Sequence, residues 1–179
     1  RSCLVGSEMC IRDRCGRAAA RADLELYRHN GFDKVPWRGP LAANTVAGAI
    51  SGWAAALSQS QKEMPIERLL RDAIHYAENG VPVTQGGAGI AAAKHDELSG
   101  QFGYSDVFCP EGAPLEYGNR LVQPALANTL KRLIYDGLDS FYTGALSADI
   151  AADLIKAGSP VSMMDLEAHR AALATPLTT

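Results

Sequence analysis

Apolar residues recur at helical spacing along most of the chain after Arg17. The clearest stretch is residues 66–79, in which apolar side chains form one stripe and charged side chains occupy the opposite side. Pro65 suits the first turn of a helix, and Gly80 can adopt the left-handed conformation that ends one. The pattern therefore predicts an amphipathic helix whose stripe consists of Ile66, Leu69, Leu70, Ala73, Ile74 and Ala77.

The same signals predict further helices. One over 123–136 has an early proline and stops at a glycine, and one over 146–157 also stops at a glycine. A serine followed three residues later by an aspartate predicts a capping box and a short helix over 162–170. Small apolar residues over 44–58 predict a buried helix, although the glycines among them lower helix propensity. Residues 100–119 are rich in turn signals and predict irregular structure.

These elements place the chain in the mainly α fold class, in one globular unit. Residues 172–178 have the pattern of a chain that leaves toward a strand. Because the apolar faces of the helices are wide enough to meet, we expect part of their apolar surface to be buried among the helices. The residues among which we expect the buried part of the core are Leu69, Leu70, Ile74, Leu130, Leu133, Leu154 and Ile155.

Composition and charge exclude several classes of function. Hydrophobic residues make up 47% of the 179 residues, and the formal net charge is −3, so no broad basic surface is available to bind nucleic acid. No run of about 20 apolar residues could span a membrane, and the first residues lack a secretory pattern. We therefore expect no nucleic-acid partner and no membrane span, while the compartment stays open because an export signal would lie upstream.

The residue types that perform catalysis or bind metal ions do not form known motifs here. No serine lies in a Gly-x-Ser-x-Gly sequence, and no two histidines have the spacing of a helical zinc site. The glycine cluster at 86–89 follows no hydrophobic strand, so a helix entry is a better interpretation than a phosphate-binding loop. From the sequence we predict no catalytic residue, no cofactor and no metal site in this chain.

The first fourteen residues differ from the rest of the chain. RSCLVGSEMCIRDR has neither a helical nor a strand period, and it resembles translated adaptor or linker sequence at the ends of assembled reads. We therefore interpret residues 1–14 as a non-native leader and exclude them from the fold.

Four stretches together carry a resemblance to a known family. They are PWRGPLAANTVAGAISGW (36–53), MPIERLLRDAIHYAENGVPV (64–83), GNRLVQPALANTLKRLIYDGLDSFYTGALSADIAADLIKAGSP (118–160) and VSMMDLEAHRAALATPL (161–177). The third stretch combines a Leu-Val-Gln-Pro entry, a Phe-Tyr-x-Gly turn and an Ile-Ala helix. In their order and spacing, all four resemble the large subunit of the gamma-glutamyltranspeptidase family, over nearly everything after residue 15.

The resemblance implies the fold of an N-terminal-nucleophile hydrolase. It implies a parent protein with a four-layer αββα sandwich, of which residues 15–179 are the helical part of the large subunit and an incomplete domain. Because this chain lacks the sheet strands of that parent, we expect an incomplete core and a contiguous exposed apolar patch near Trp53 and toward the C-terminal segment. It also implies a small subunit that begins with a threonine, exposed by self-cleavage, whose hydroxyl attacks the gamma-glutamyl amide of glutathione-like substrates. That threonine is expected beyond Thr179, so we expect this chain alone to have no gamma-glutamyl transferase or hydrolase activity. The implied partners are a gamma-glutamyl substrate, the rest of the large subunit and the small subunit.

The resemblance also implies one substrate-binding residue. GRAAARADLELYR (16–28) is similar to the family segment around an arginine that binds the substrate's alpha-carboxylate, and Arg17 is the matching residue. A guanidinium suits this task because it donates paired, planar hydrogen bonds to a carboxylate. Ala19 departs from the family pattern, since many members have proline there. A solvated arginine at a frayed helix start is the alternative interpretation of Arg17.

Two other functions stay open. Cephalosporin-acylase-like amide hydrolases belong to the same family and differ in a substrate pocket outside these stretches. A helical interaction module without catalysis is the second alternative, because the chain has no recognisable nucleophile and several alanine-rich faces. A downstream reading frame with a threonine-led small subunit would decide for the enzyme.

The leader interpretation makes a testable prediction. Deletion of residues 1–14 should leave the midpoint of thermal unfolding unchanged, because these residues have no amphipathic period that could pack on a core. The midpoint can be followed by circular dichroism at 222 nm for both lengths of the chain. A clear drop would show that the segment is native.

Overall fold

The computed structural model describes residues 11–12, 16–60 and 64–173. Most residues in these ranges are helical, which confirms the predicted mainly α class. The chain divides into two compact units: Arg1–Met64 with Asp136–Thr179 forms the first, and Pro65–Tyr135 forms the second. No helix in the described ranges has both the length and the apolar character needed to cross a bilayer.

The helices are α1 (Leu24–His29), α2 (Ala49–Gln59), α3 (Ile66–Asn79), α4 (Gln85–Leu98), α5 (Tyr104–Phe108), α6 (Pro124–Asp136), α7 (Ala145–Ala157) and α8 (Met163–Glu167), with a 3-10 helix at Leu138–Phe141. The strands have two residues each and pair antiparallel. They are β1 (Ile11–Arg12) with β4 (Ala172–Leu173), and β2 (Val81–Pro82) with β3 (Arg120–Leu121).

Several helix ends lie where the local sequence signals predicted them. Helix α3 has the predicted bounds, and Gly80 follows it with φ +80°. Its ψ of 155° is extended, so Gly80 ends the helix by a turn away from it and not by a left-handed helical residue. The predicted capping box begins α8, because Ser162 accepts from the Asp165 N–H and the Asp165 carboxylate accepts from the Ser162 N–H. Helix α8 ends at Glu167, three residues earlier than predicted.

Helix α2 begins later than the pattern predicted. Residues 44–46 are extended because their backbone pairs with a distant segment: Ala19 N–H donates to Asn44 O at 2.8 Å. The helix therefore starts at Ala49. It buries Ile50 and Gly52, while Trp53 is 40% exposed, so the predicted buried helix is covered on one side.

The core of the second unit lies between α3 and α6. Leu70 and Ala77 of α3 and Ala127, Leu130 and Leu133 of α6 are buried. An ion pair between the Lys131 ammonium and the Glu78 carboxylate also links the two helices. Because this packing involves neighbouring helices, the second unit has its own core, whereas the sequence pattern had predicted one globular unit.

The predicted core is confirmed in part. Leu70, Leu130 and Leu133 are buried, and Ile74 and Leu154 are intermediate. Leu69 and Ile155, however, are 45% and 64% exposed. Both lie at the margin of their apolar stripe, so helical period alone does not separate them from the buried positions.

The core of the first unit lies beside the 3-10 helix, which itself contains no buried residue. Helices α2 and α7 both contact that helix, and α7 also contacts α8. Its buried side chains include Tyr27, Val46, Ile50, Tyr142, Leu146, Val161 and Leu166. These residues come from both sequence segments of the unit, so the first unit closes only when the C-terminal segment returns.

Strand β1 bears on the interpretation of the leader. Ile11 pairs with Leu173 and Arg12 with Ala172. Two residues assigned to the leader therefore have backbone partners, which weighs against excluding them, and the leader interpretation stays a prediction. We predicted that residues 172–178 lead toward a strand, and Ala172 and Leu173 form β4. Residues 174–178 lie outside the described residues.

The two leucines Leu133 and Leu126 of α6 give a matched test of the core. Leu133 is 1% exposed and Leu126 is 44% exposed, although both are leucines of the same helix. We expect Leu133→Ala to lower the free energy of unfolding by about 2–5 kcal/mol, because it leaves a cavity. Leu126→Ala should lower it by less than about 1 kcal/mol. Urea denaturation of both variants measures the difference, and equal losses would contradict the burial.

Candidate functional site

Arg17 lies in residues 16–20, which pair with a distant part of the chain and which we name the Arg17 segment. Ala18 forms an antiparallel bridge with Thr45. On either side of this bridge, Val46 N–H donates to Arg17 O at 2.9 Å and Ala19 N–H donates to Asn44 O at 2.8 Å. Helix α1 begins seven residues after Arg17, so Arg17 does not lie at a frayed helix start.

Gly16 is required where the Arg17 segment begins. Its φ is +74°, a conformation that side chains disfavour. A Cβ at this position would lie 1.6 Å from Val46 O. Only glycine at this position therefore lets the backbone before Arg17 approach Val46 so closely.

The partner run 44–46 is itself held from α1. Tyr27 is buried, and its hydroxyl accepts a hydrogen bond from Asn44 Nδ2 at 2.7 Å and donates to Leu41 O at 3.2 Å. Val46 is 2% exposed. The Arg17 segment thus pairs with a run that is fixed by buried groups.

Asp165 of α8 holds the other end of the Arg17 segment. Its Oδ1 accepts from Ala20 N–H at 2.8 Å, and its Oδ2 accepts from Ser162 N–H at 2.8 Å and from Ser162 Oγ at 2.6 Å. Burial raises the pKa of Asp165, but the hydrogen bonds from Ser162 and Ala20 and the charge of Arg21 outweigh it. The pKa of Asp165 therefore lies below its ordinary value of 3.8.

The Arg17 side chain is exposed and makes no hydrogen bond or ion pair with any residue that the structure describes. Arg120 and Arg170, in contrast, donate to backbone carbonyls. A guanidinium on a fixed extended backbone, with its donors free, can bind an anion that brings a planar pair of acceptors.

Sequence reasoning missed a buried polar cluster in the first unit. The Tyr142 hydroxyl donates to Ala47 O at 2.8 Å and accepts from Ser51 N–H at 2.9 Å, while Ser51 Oγ accepts from Ala171 N–H at 2.7 Å. The ring of buried His169 lies 5.2 Å from that of Tyr142. Burial raises the pKa of Tyr142 and the Ser51 bond offsets part of that rise. Because these residues are far apart in sequence, no local signal could have found the cluster.

A second cluster in the second unit combines a thiol, an imidazole and a phenol. Cys109 Sγ lies 3.8 Å from His95 Nδ1, and Tyr104 stacks on Phe108. Burial and the neighbouring Cys109 thiol raise the pKa of Tyr104. Helices α4 and α5 bring these residues together. Across the described residues, no three histidine, cysteine or acidic side chains are grouped so that they could hold a metal ion.

A family model supplies the decisive comparison. The model described as Gamma-glutamyltranspeptidase matches residues 7–179. The chain belongs to the gamma-glutamyltranspeptidase family. The match begins at residue 7, and β1 contains Ile11 and Arg12. Both observations therefore fall on residues that we interpreted as a non-native leader.

Relatives within the family carry different activities in their names. The chain is 46% identical over 170 residues to the oxamate amidohydrolase proenzyme of Klebsiella pneumoniae, which covers 93% of the chain and 32% of that protein. It is 28% identical over 186 residues to the glutathione hydrolase proenzyme of Escherichia coli, covering 97% of the chain and 32% of that protein. The chain thus spans about a third of the length of these relatives.

A solved structure agrees with the fold. Cephalosporin acylase from Bacillus halodurans superposes on 93% of the chain, which corresponds to 32% of that protein, with a TM-score of 0.83 and 28% identity. The large fraction of the chain that superposes indicates that both units have counterparts in the family fold.

The hydrogen bonds of Asp165 predict a pH-dependent contribution to stability. Its pKa in the folded state is lower than in the unfolded state, so the contribution is present above about pH 4 and is lost as pH falls through the folded pKa. We expect Asp165→Asn to lower the free energy of unfolding by about 1–2 kcal/mol at pH 7. Urea denaturation between pH 7 and pH 2.5 should show this deficit shrink below pH 4.

Asp153→Asn is the control, because Asp153 is exposed on α7 and the variant removes the same charge. Its deficit should be near zero at each pH. A deficit for Asp165→Asn that is equally large at pH 7 and pH 2.5 would contradict the assignment.

Proposed function

We propose that this chain forms part of an amide hydrolase whose substrate carries a carboxylate near the scissile amide, and that Arg17 binds this carboxylate. The observation that carries the proposal is the exposed guanidinium of Arg17, which has no partner among the described residues, on a segment held at both ends. Bidentate hydrogen bonds to the carboxylate would fix the direction in which the amide carbonyl points.

We propose oxamate as the first substrate to test. Identity to the relative named oxamate amidohydrolase is 46%, whereas identity to the relative named glutathione hydrolase is 28%. Oxamate carries its carboxylate directly on the amide carbon, so one arginine contact would orient the reacting carbonyl. Hydrolysis adds one water to the amide bond and yields oxalate and ammonia.

Gamma-glutamyl transfer or hydrolysis is the second candidate. The matching family model carries that activity in its name, and a gamma-glutamyl group also presents an alpha-carboxylate. In either case the attacking group would be the threonine that begins the small subunit of the parent protein. Its hydroxyl would attack the carbonyl carbon, and its own amine would accept the proton and pass it to the amine that leaves. Water would then hydrolyse the acyl-enzyme and release the acid. The proposal also includes the αββα sandwich of the parent protein, the rest of its large subunit and its small subunit.

The substrate can be tested on the full-length enzyme that contains these residues. We expect kcat/KM for oxamate, measured by ammonia release, to exceed that for glutathione, measured by glutamate release, by at least about tenfold, which corresponds to about 1.4 kcal/mol in transition-state binding. Arg17→Ala should raise KM for the better substrate by about 10- to 100-fold, because a charge-assisted pair is worth about 1.5–3 kcal/mol.

Arg28→Ala is the matched control, since Arg28 is exposed on α1 and lies in the same stretch of sequence. It should leave KM within about twofold. The chain of 179 residues alone should release neither ammonia from oxamate nor glutamate from glutathione. An Arg17→Ala enzyme with unchanged KM would refute the role of Arg17, and preference for glutathione would favour the second candidate.

A further inference from the structure

One contact joins the Arg17 segment to the far end of the chain. Ala20 N–H donates to Asp165 Oδ1 at 2.8 Å across 145 positions of sequence. Ala20 follows the residues that pair with 44–46, so this bond holds the segment where its pairing has ended. Arg17 lies three residues away, between the close approach at Gly16 and this bond.

Asp165 is well suited to hold a backbone in place. One of its carboxylate oxygens accepts from Ala20, and the other accepts from the Ser162 backbone and hydroxyl. Both oxygens must be acceptors, so a neutral amide of the same shape can satisfy only one side. In Asp165→Asn the amide oxygen would face Ser162, which offers two donors, and Ala20 N–H would lose its acceptor. The next residue, Leu166, is 1% exposed, which anchors α8 in the core of the first unit.

We propose that Asp165 is a positioning residue that sets the location of the Arg17 guanidinium. The proposal rests on the proposed substrate-binding role of Arg17. Without the bond to Asp165, the Arg17 segment keeps its pairing with 44–46 but its last residues are released. A shift of about 1 Å in a group that orients substrate is enough to weaken catalysis strongly.

The competing explanation is that Asp165 is simply the cap of a short helix. Ser162 separates the two roles. Ser162→Ala removes the hydroxyl that accepts from Asp165 N–H and donates to the carboxylate, so it weakens the cap. It leaves the bond between Asp165 Oδ1 and Ala20 N–H in place. The two variants therefore differ in the link to the Arg17 segment.

The contact is tested first in the chain of 179 residues. We expect the Ala20 amide proton, followed by heteronuclear NMR, to move upfield as acidification protonates Asp165, since a hydrogen bond to a carboxylate is stronger than one to a carboxylic acid. The same proton should show no such titration in Asp165→Asn. Ala22 N–H, which donates to Ala19 O, is the internal reference. An Ala20 amide that does not titrate in the unsubstituted chain would overturn the proposal.

The function is tested by kinetics in the full-length enzyme, with the substrate that it hydrolyses best. We expect Asp165→Asn to raise KM by about three- to tenfold with kcat within about twofold, because the carboxylate contact to Arg17 is made in both the ground state and the transition state. Ser162→Ala should lose a similar amount of thermal stability but keep KM within about twofold. Asp153→Asn should match the unsubstituted enzyme in both parameters.

Each outcome has one meaning. Equal KM changes in Asp165→Asn and Ser162→Ala, or a fall in kcat alone, would reduce Asp165 to a helix cap and overturn the inference. If Asp165→Asn does not fold, the Ala20 titration in the unsubstituted chain decides. Arg17→Ala is measured in parallel: an unchanged KM there would refute the proposed function itself, whereas a raised KM beside an unaffected Asp165→Asn would refute only the positioning role.

Discussion

The first unit depends on how the extended run 43–47 finds partners for its backbone groups. Backbone N–H and C=O groups that leave water must be paired, and an extended run has no partners within itself. Here they come from far along the chain. Ser159 Oγ donates to Ala43 O, Ala19 N–H to Asn44 O, and Tyr142 OH to Ala47 O, while Val46 N–H donates to Arg17 O. The run therefore joins the N-terminal residues to the segment that returns after the second unit.

This pairing explains how the backbone around Arg17 is held in place although the chain around it forms little β-sheet. Gly16 permits the close approach to Val46, and Tyr27 fixes Asn44 from the other side. Asp165 adds a charged acceptor at the end of the Arg17 segment. Backbone pairing with 44–46 and the side-chain acceptor Asp165 together satisfy the backbone groups around the exposed Arg17 and fix its position.

The exposed apolar side chains have a different origin. Trp53, Leu69 and Ile90 are 40%, 45% and 69% exposed, and α4 contains no buried residue. The relatives are about three times as long as this chain, and 93% of it superposes on a family member. These exposed faces accord with the incomplete core that the family resemblance implies. The contiguous exposed patch that we expect near Trp53 and the C-terminal segment stays a prediction.

Local sequence determined, to within one residue, where α3, α6 and α7 begin and end. The stripe over 66–79, the capping box at Ser162 and the glycines after the long helices act through contacts within one or two turns, so they can be identified from neighbouring residues. Four stretches of sequence were also sufficient to recognise the family, and with it Arg17 as a candidate.

Tertiary structure decided the rest. The late start of α2, the exposure of Leu69 and Ile155, and the bond from Asp165 to Ala20 all depend on groups that are distant in sequence. Helical period gives the direction of a side chain from its axis but not the neighbour that covers it, and a hydrogen bond across 145 positions leaves no mark on local pattern. For this reason the sequence identified Arg17, and only the folded chain showed what holds it in place.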